Sequence, residues 1–430
     1  MHISRVATTD DSPRLETGMP GLDRVLGGDR PGLPDDATVS VVGDPSAGKS
    51  TLLIDAAGRL AEDGHRVLYA VPEEGIDAVK SRAQRVGIDT DQAASYLPLY
   101  LRHTDSWEEI EHLVRLLDID VLMLDSVNRT RLGGIYKHLP CGSVQQVRAV
   151  VGRAVHLSKS QSRACILVGH INKEGDAAGP QDFAHDVDIC LRIGIEETGG
   201  RYLLAEKNRY AQDRFAVHYD MTARGMLEVG DPSLAVLSRT GAEPGVVFLP
   251  DASLAQPALV RVEALVQDPG EGREGAVSVQ GVDKSRVAQA LRLLRSHNDL
   301  PLAGQDIAVE VGTVLGQPCK DAGLDLALAV ALASAALQRV VPWPSVVFGR
   351  LSVRGRVETV DRDYPRLEAA RDWRVRHALV PAFSRGPDRM TPVSVCRVKR
   401  LEEIEGWIRG SGPLAKRTAP GETVSPENHA

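Results

Sequence analysis

Thr38-Val-Ser-Val-Val42 runs into Gly43-Asp44-Pro45-Ser46-Ala47-Gly48-Lys49-Ser50-Thr51, and this stretch decides how the chain is read. The β-branched run Thr38–Val42 predicts a strand, and Thr51 to Ala61 carries apolar residues at helical spacing. Between them, Gly43 to Ser50 fits GxxxxGK[ST] in the strand–loop–helix setting that the pattern requires. Glycines let backbone N–H groups wrap phosphate oxygens, and a helix N-terminus adds positive potential. Lys49 is placed to reach β- and γ-phosphates and Ser50 to hold Mg²⁺, with Thr51 beside it. The implied ligands are ATP and Mg²⁺.

Working outward, Arg66–Val71, Val121–Leu124 and Ala164–Val168 read as further short strands. Helical patterns at Ile76–Val86, Ser106–Leu117 and Val144–Lys159 lie between them. That alternation predicts an α/β fold with a mostly parallel sheet. Asp125 ends the apolar strand Val121–Leu124, where a carboxylate organises Mg²⁺ and water. Glu73 and Glu74 follow the strand Arg66–Val71. Either could orient the attacking water; Glu73, nearer the strand end, is preferred.

Composition narrows the rest. The 430 residues carry 51 Lys and Arg against 58 Asp and Glu, a net charge of −7. Any nucleic-acid contact must therefore come from local concentrations of positive charge. The five cysteines form no CxxC pair, so no zinc is expected, and their odd number and wide spacing fit a reducing, cytoplasmic setting. Leu326–Leu337 is the longest apolar stretch, too short to cross a membrane.

Three runs around the phosphate loop carry a family resemblance. The first is Thr17-Gly18-Met-Pro-Gly-Leu-Asp23-Arg-Val-Leu-Gly-Gly28. The second is Val168-Gly-His170-Ile-Asn172-Lys173-Glu-Gly175, with Ala178-Gly-Pro180 and His185-Asp-Val-Asp188 after it. The third is Lys207-Asn208-Arg209-Tyr210. Together with Gly43–Ser50 they resemble the bacterial RadA (Sms) family of RecA-like recombination ATPases.

That resemblance implies a ring-forming ATPase, a hexamer, that drives branch migration or helicase-like strand movement in homologous recombination and DNA repair. Asn172 would sense the γ-phosphate. Lys207 and Arg209 would contact nucleotide across a subunit interface, and a recombinase is an implied partner. The family signature has glycine where Ala211 stands, and family members begin with a four-cysteine zinc module, whereas here no cysteine precedes Cys141. A KaiC-like regulatory ATPase that moves no DNA is the alternative.

Two segments concentrate positive charge. Residues 128–164 hold seven Lys or Arg and no acid, just after Asp125. Arg129, Arg131, Tyr136 and Lys137 are the candidates there for single-stranded and branched DNA. Residues 349–400 hold thirteen cations against six acids. Gly316-Gln-Pro-Cys319-Lys-Asp321-Ala-Gly-Leu324 resembles a Lon-type protease domain, but Leu324 stands where the serine belongs and Tyr364 where the lysine belongs. Peptidase chemistry needs that pair, so an α+β domain without a protease dyad is expected. The expected layout is a lead-in at 1–37, a RecA-like ATPase domain at 38–232, a linker at 233–257, the Lon-like domain at 258–410 and a disordered tail at 411–430.

Overall fold

The computed structural model describes residues 12–90, 97–170, 185–196, 199–298, 300–386, 389–390 and 392–410. The chain divides into two compact units, 1–230 and 231–430.

In the first unit helix α1 (Pro20–Gly27) precedes strand β1 (Thr38–Gly43) and helix α2 (Lys49–Glu62). Then come β2 (Val67–Ala70), α3 (Ile76–Arg85), β3 (Leu99–Arg102), α4 (Trp107–Leu116), β4 (Val121–Leu124), α5 (Val144–Gln161) and β5 (Ala164–His170). Strands β6 (Ile189–Ile195), β7 (Arg201–Asn208), β8 (Ala216–Thr222) and β9 (Gly225–Val229) complete it. The sheet order among the described residues is β9-β8-β7-β6-β1-β5-β4-β2-β3. Strands β1 to β6 are mutually parallel and β6 to β9 run antiparallel.

Apolar runs, caps and small residues account for these elements. All six residues of β1 are buried, because β5 and β6 pair with it on either side. Ser106 caps α4 by accepting from Glu109 N (3.3 Å), and Ser143 caps α5 by accepting from Gln146 N (3.4 Å). The apolar stripe Val147, Val150, Val151, Ala154 and Leu157 turns α5 onto the sheet.

The second unit opens earlier than expected. Residues 233–257 are not a linker: helix α6 (Pro232–Arg239) and strand β10 (Val246–Asp251) occupy most of them. Asp231 caps α6 by accepting from Ser233 N (2.8 Å), so Asp-Pro here starts a helix rather than a flexible joint. The run Val246-Val-Phe-Leu249 is wholly buried. Next come β11 (Ala258–Gln267), β12 (Val277–Gln280), α7 (Lys284–His297), β13 (Asp306–Val311) and α8 (Leu324–Ala336). They are followed by β14 (Ser345–Val347), α9 (Asp363–Asp372), β15 (His377–Pro381), β16 (Arg389–Met390), β17 (Val393–Val398) and α10 (Ile404–Ile408). The described sheet order is β12-β13-β11-β10-β14-β15-β17-β16, mixed parallel and antiparallel. Helix α8 is apolar on every side and nearly all buried, the mark of a core helix.

A buried ion pair ties this core together. Arg366 on α9 donates to Asp321 Oδ2 (2.9 Å), and the two side chains are only 4% and 3% exposed. Arg366 also donates to the Pro250 carbonyl (2.5 Å), while Asp321 accepts from Ala252 N (2.9 Å) and Gly323 N (2.6 Å). The end of β10, the start of α8 and α9 are thus fastened at one point. Breaking such a pair from one side costs about 3–5 kcal/mol, because the other charge stays buried. Arg366→Met is therefore expected to lower the stability of the second unit by about that much. Urea titration read by tryptophan fluorescence measures it, since Trp343, Trp373 and Trp407 all lie in this unit.

Candidate active site

Strand β1 ends at Gly43, where a Cβ would stand 2.0 Å from the Ile193 carbonyl oxygen. Only glycine lets the chain leave the sheet there. Gly48, at φ 109°, caps α2 in a left-handed conformation that suits glycine. The loop between them, Asp44 to Ala47, folds back on itself through Ala47 N to Asp44 O (3.2 Å). Lys49 is 6% exposed, and its Nζ donates to the carbonyls of Gly43 (2.8 Å) and Asp44 (2.9 Å). Burial pushes the Lys49 ammonium below its usual range, against the pull of Asp125, Asp44 and Glu73. A desolvated ammonium over a glycine-lined loop is the donor set that polyphosphate requires.

The parallel neighbours deliver the carboxylates to the same edge. Asp125, just past β4, accepts from Ser50 Oγ (2.6 Å) and from the Tyr69 hydroxyl of β2 (3.1 Å). A hydroxyl and a carboxylate so placed form a hard-oxygen set that fits Mg²⁺. Glu73 accepts from Ser126 Oγ (2.5 Å), so it reaches the residue next to Asp125. Glu74 turns away to Arg82 of α3, with contacts of 2.8 and 3.1 Å. The two adjacent glutamates thus have different surroundings. Thr51 is the third residue of α2, next to Ser50.

Tyr69, Ser126 and Arg82 escaped the sequence reading. Tyr69 sits inside an apolar strand, and its hydroxyl matters only because β2 and β4 pair side by side, with Tyr69 opposite Met123. Ser126 carried a weak signal, being adjacent to Asp125.

The remaining expected residues are distributed unevenly. Lys207 Nζ donates to the carbonyls of Val187 (2.7 Å) and His185 (3.1 Å). Asn208 donates to Val25 O (2.9 Å) and Leu26 O (3.0 Å). Arg209 pairs with Asp188 (3.1 Å) while its side chain is 52% exposed. Tyr210 donates to Asp36 (2.8 Å) and accepts from Lys159 (2.9 Å). Asp188, almost fully buried, also accepts from Thr38 N (3.0 Å) at the foot of β1 and pairs with Lys159 (3.1 Å). The Lys207–Tyr210 run therefore fastens β7 to the base of the phosphate-loop strand. Asn172 lies outside the described residues.

The basic segment after Asp125 is largely neutralised by acids from other elements. Arg131 pairs with Asp105 (3.2 Å), Arg153 with Glu111 (3.6 Å), Lys159 with Asp36 (3.0 Å) and Arg163 with Asp120 (3.3 Å). Arg129 lies 3.9 Å from Glu73. Tyr136, expected as a stacking ring, is half-buried and packs against the cluster around Trp107 and Val147. Lys137 is exposed.

In the second unit Leu324 is fully buried and Tyr364 is 44% exposed. The Cys319 thiol is buried, donates to Asp251 Oδ2 (3.1 Å), and is pushed well up by burial and by that carboxylate. A thiol held neutral in this way is a poor nucleophile.

A family profile described as an AAA domain matches residues 15–176. The chain is 32% identical over 398 residues to the DNA repair protein RadA of Haemophilus influenzae, covering 91% of this chain and 83% of that one. It is 34% identical over 400 residues to the DNA repair protein RadA of Pseudomonas aeruginosa, covering 92% and 84%. The figure for the Escherichia coli protein of the same name is 30% over 400 residues, covering 92% and 83%. A solved structure of a KaiC-like protein from Pyrococcus horikoshii is 17% identical with a TM-score of 0.43, covering 51% of this chain and 100% of that one. With the phosphate loop and its two strand-end acids in place, and with this identity along most of its length, the chain belongs to the RadA family of DNA repair proteins.

Proposed function

We propose that this protein hydrolyses ATP and spends the free energy moving on DNA in homologous recombination and repair. The observation that carries the reading is the convergence of Lys49, Ser50, Asp125 and Glu73 at one sheet edge, in a chain whose relatives are named for DNA repair. Gly43 to Thr51 would hold the phosphates, and Ser50 with Asp125 would hold Mg²⁺. The metal supplies charge neutralisation on the phosphate oxygens. Glu73, steadied by Ser126, would orient the attacking water and draw its proton.

Active sites would be completed between subunits of a six-membered ring. Arg209, half exposed although paired with Asp188, has guanidinium nitrogens free to reach a neighbour's γ-phosphate, with Lys207 behind it. Single-stranded or branched DNA would meet Arg129, Arg131, Tyr136 and Lys137, with a recombinase as further partner and the cytoplasm as setting. Arg129 links the two sites, because its nearest carboxylate is Glu73. A DNA phosphate that drew Arg129 away would free Glu73 for water. The second unit, with Leu324 and Tyr364 in place of a serine–lysine dyad, would serve as a non-proteolytic Lon-like scaffold.

The pairing of five of the seven cations in 128–164 favours the second reading, a regulatory ATPase that moves no DNA. DNA stimulation of ATP hydrolysis separates the two. The motor reading expects stimulation by single-stranded or forked DNA and extension of a three-stranded intermediate, and the regulatory reading expects neither.

Four variants sharpen the roles. Glu73→Gln is expected to keep ATP binding and lower kcat by about 10²–10⁴-fold, the usual worth of a general base. Arg209→Ala is expected to lower kcat by about 10³-fold or more. Mixed rings of Arg209→Ala and Lys49→Ala subunits should regain part of the rate, because a Lys49→Ala neighbour can lend its arginine to an intact phosphate loop. No recovery on mixing would place Arg209 in its own subunit's chemistry. Arg129→Ala should raise hydrolysis without DNA and abolish the response to it, read in a coupled ATPase assay.

A further inference from the structure

The two glutamates after β2 are adjacent in sequence, yet they hold different partners. Glu73 turns to Ser126, beside Asp125. Glu74 faces α3, where both of its carboxylate oxygens accept from the guanidinium of Arg82 (2.8 and 3.1 Å). His103, just past β3, donates from Nδ1 to the Glu74 carbonyl (3.0 Å) and steadies that turn. A two-pronged contact of this kind fixes both the position and the direction of a guanidinium. Arg82 in return ties α3 to the turn from which Glu73 projects.

The location of Arg82 gives that contact its importance. Its side chain is only 19% exposed, whereas that of Glu74 is 42% exposed. Hydrogen bonds to Glu74 hold the guanidinium above its ordinary range despite burial, and Glu74, Tyr69 and Asp125 add to the pull. Arg82 therefore stands within electrostatic reach of Asp125, the carboxylate that accepts from Ser50 Oγ (2.6 Å) and the Tyr69 hydroxyl (3.1 Å). A guanidinium set loose there meets a carboxylate whose geometry matches its own fork. A carboxylate paired in that way has lost its value to a metal ion, because one cation has taken the place of the other.

We propose that Glu74 is a positioning residue that keeps Arg82 from pairing with Asp125, so that this carboxylate stays available to Mg²⁺. The inference rests on the reading of Ser50 and Asp125 as the magnesium pair. It gives the second glutamate a task distinct from that of the first: Glu74 touches neither nucleotide nor attacking water and acts only through Arg82. Two other roles for Glu74 make different predictions. A second general base would be needed whether or not Arg82 is present. A plain structural tie would be lost equally on removing either partner.

The test titrates Mg²⁺ into the full chain carrying the fluorescent analogue mant-AMP-PNP and reads the metal concentration at half effect. Glu74→Gln is expected to raise that concentration by about tenfold, the lower end of what a nearby opposite charge does to a carboxylate. Binding of the analogue in EDTA should stay at the wild-type level, which also shows that the variant is folded. Arg82→Gln alone should leave the metal dependence near the wild-type value, and Glu74→Gln combined with Arg82→Gln should return to it. Equal losses in the two single variants and the double variant would overturn the proposal in favour of a structural tie. A fall in kcat for Glu74→Gln that neither Arg82→Gln nor excess Mg²⁺ repairs would overturn it in favour of a second base. Asp125→Asn separates this inference from the reading beneath it. If that variant leaves the metal dependence unchanged, the magnesium pair itself is wrong; if it weakens metal binding while Glu74→Gln does not, only the task of Glu74 is wrong.

Discussion

Everything at the phosphate site follows from the position of β1 between two parallel neighbours. Pairing on both sides buries all six residues and fixes the strand's direction. Because β4 and β2 run the same way, their C-terminal ends share its edge, as open parallel sheets require. Asp125 meets Ser50, and Glu73 meets Ser126, for that reason, not because sequence brings them near; 75 residues separate Ser50 from Asp125. The close approach of Gly43 to Ile193 O then sets where the loop leaves the sheet. Asp188 secures the other end of the same strand, since it accepts from Thr38 N while holding Arg209 and Lys159.

This dual anchorage bears on Arg209. Its partner Asp188 is almost fully buried, so removing the arginine also leaves a buried carboxylate with fewer cations. A loss of rate could then come from a loosened β1 instead of from missing charge at the γ-phosphate. Lys159 limits that danger, because it reaches Asp188 and Asp36 as well. Burial alone would lower its affinity for a proton, but Tyr210, Asp36 and Asp188 together raise it, so the cation stays charged at the foot of the strand.

Periodicity made most elements legible in advance. Strand Val121–Leu124 has the bounds expected, because an apolar run is a local signal. The linker failed for an equally physical reason. Asp231 makes Pro232 a helix start, and Val246–Leu249 shows no alternation because β10 is buried on both faces. In the site, the phosphate loop and its acids were legible because a motif binds directly through backbone and neighbouring side chains. Tyr69, Ser126 and the different partners of Glu73 and Glu74 were not, because they arise from neighbours distant in sequence. Counting charge along the chain likewise overstated the uncompensated charge of 128–164: acids at Asp105, Glu111, Asp118 and Asp120 come from segments the count did not include.

Uncompensated charge is what distinguishes a binding surface from a structural one in this protein. Arg366 is buried, and its partner Asp321 and the carbonyls of Pro250 and Asp361 satisfy it; such a group organises a core and offers nothing to a ligand. Lys49 is buried too, but its Nζ donates to neutral carbonyls, and burial has already weakened its hold on the proton. An anion arriving there gains an interaction in a desolvated setting, where charge counts most.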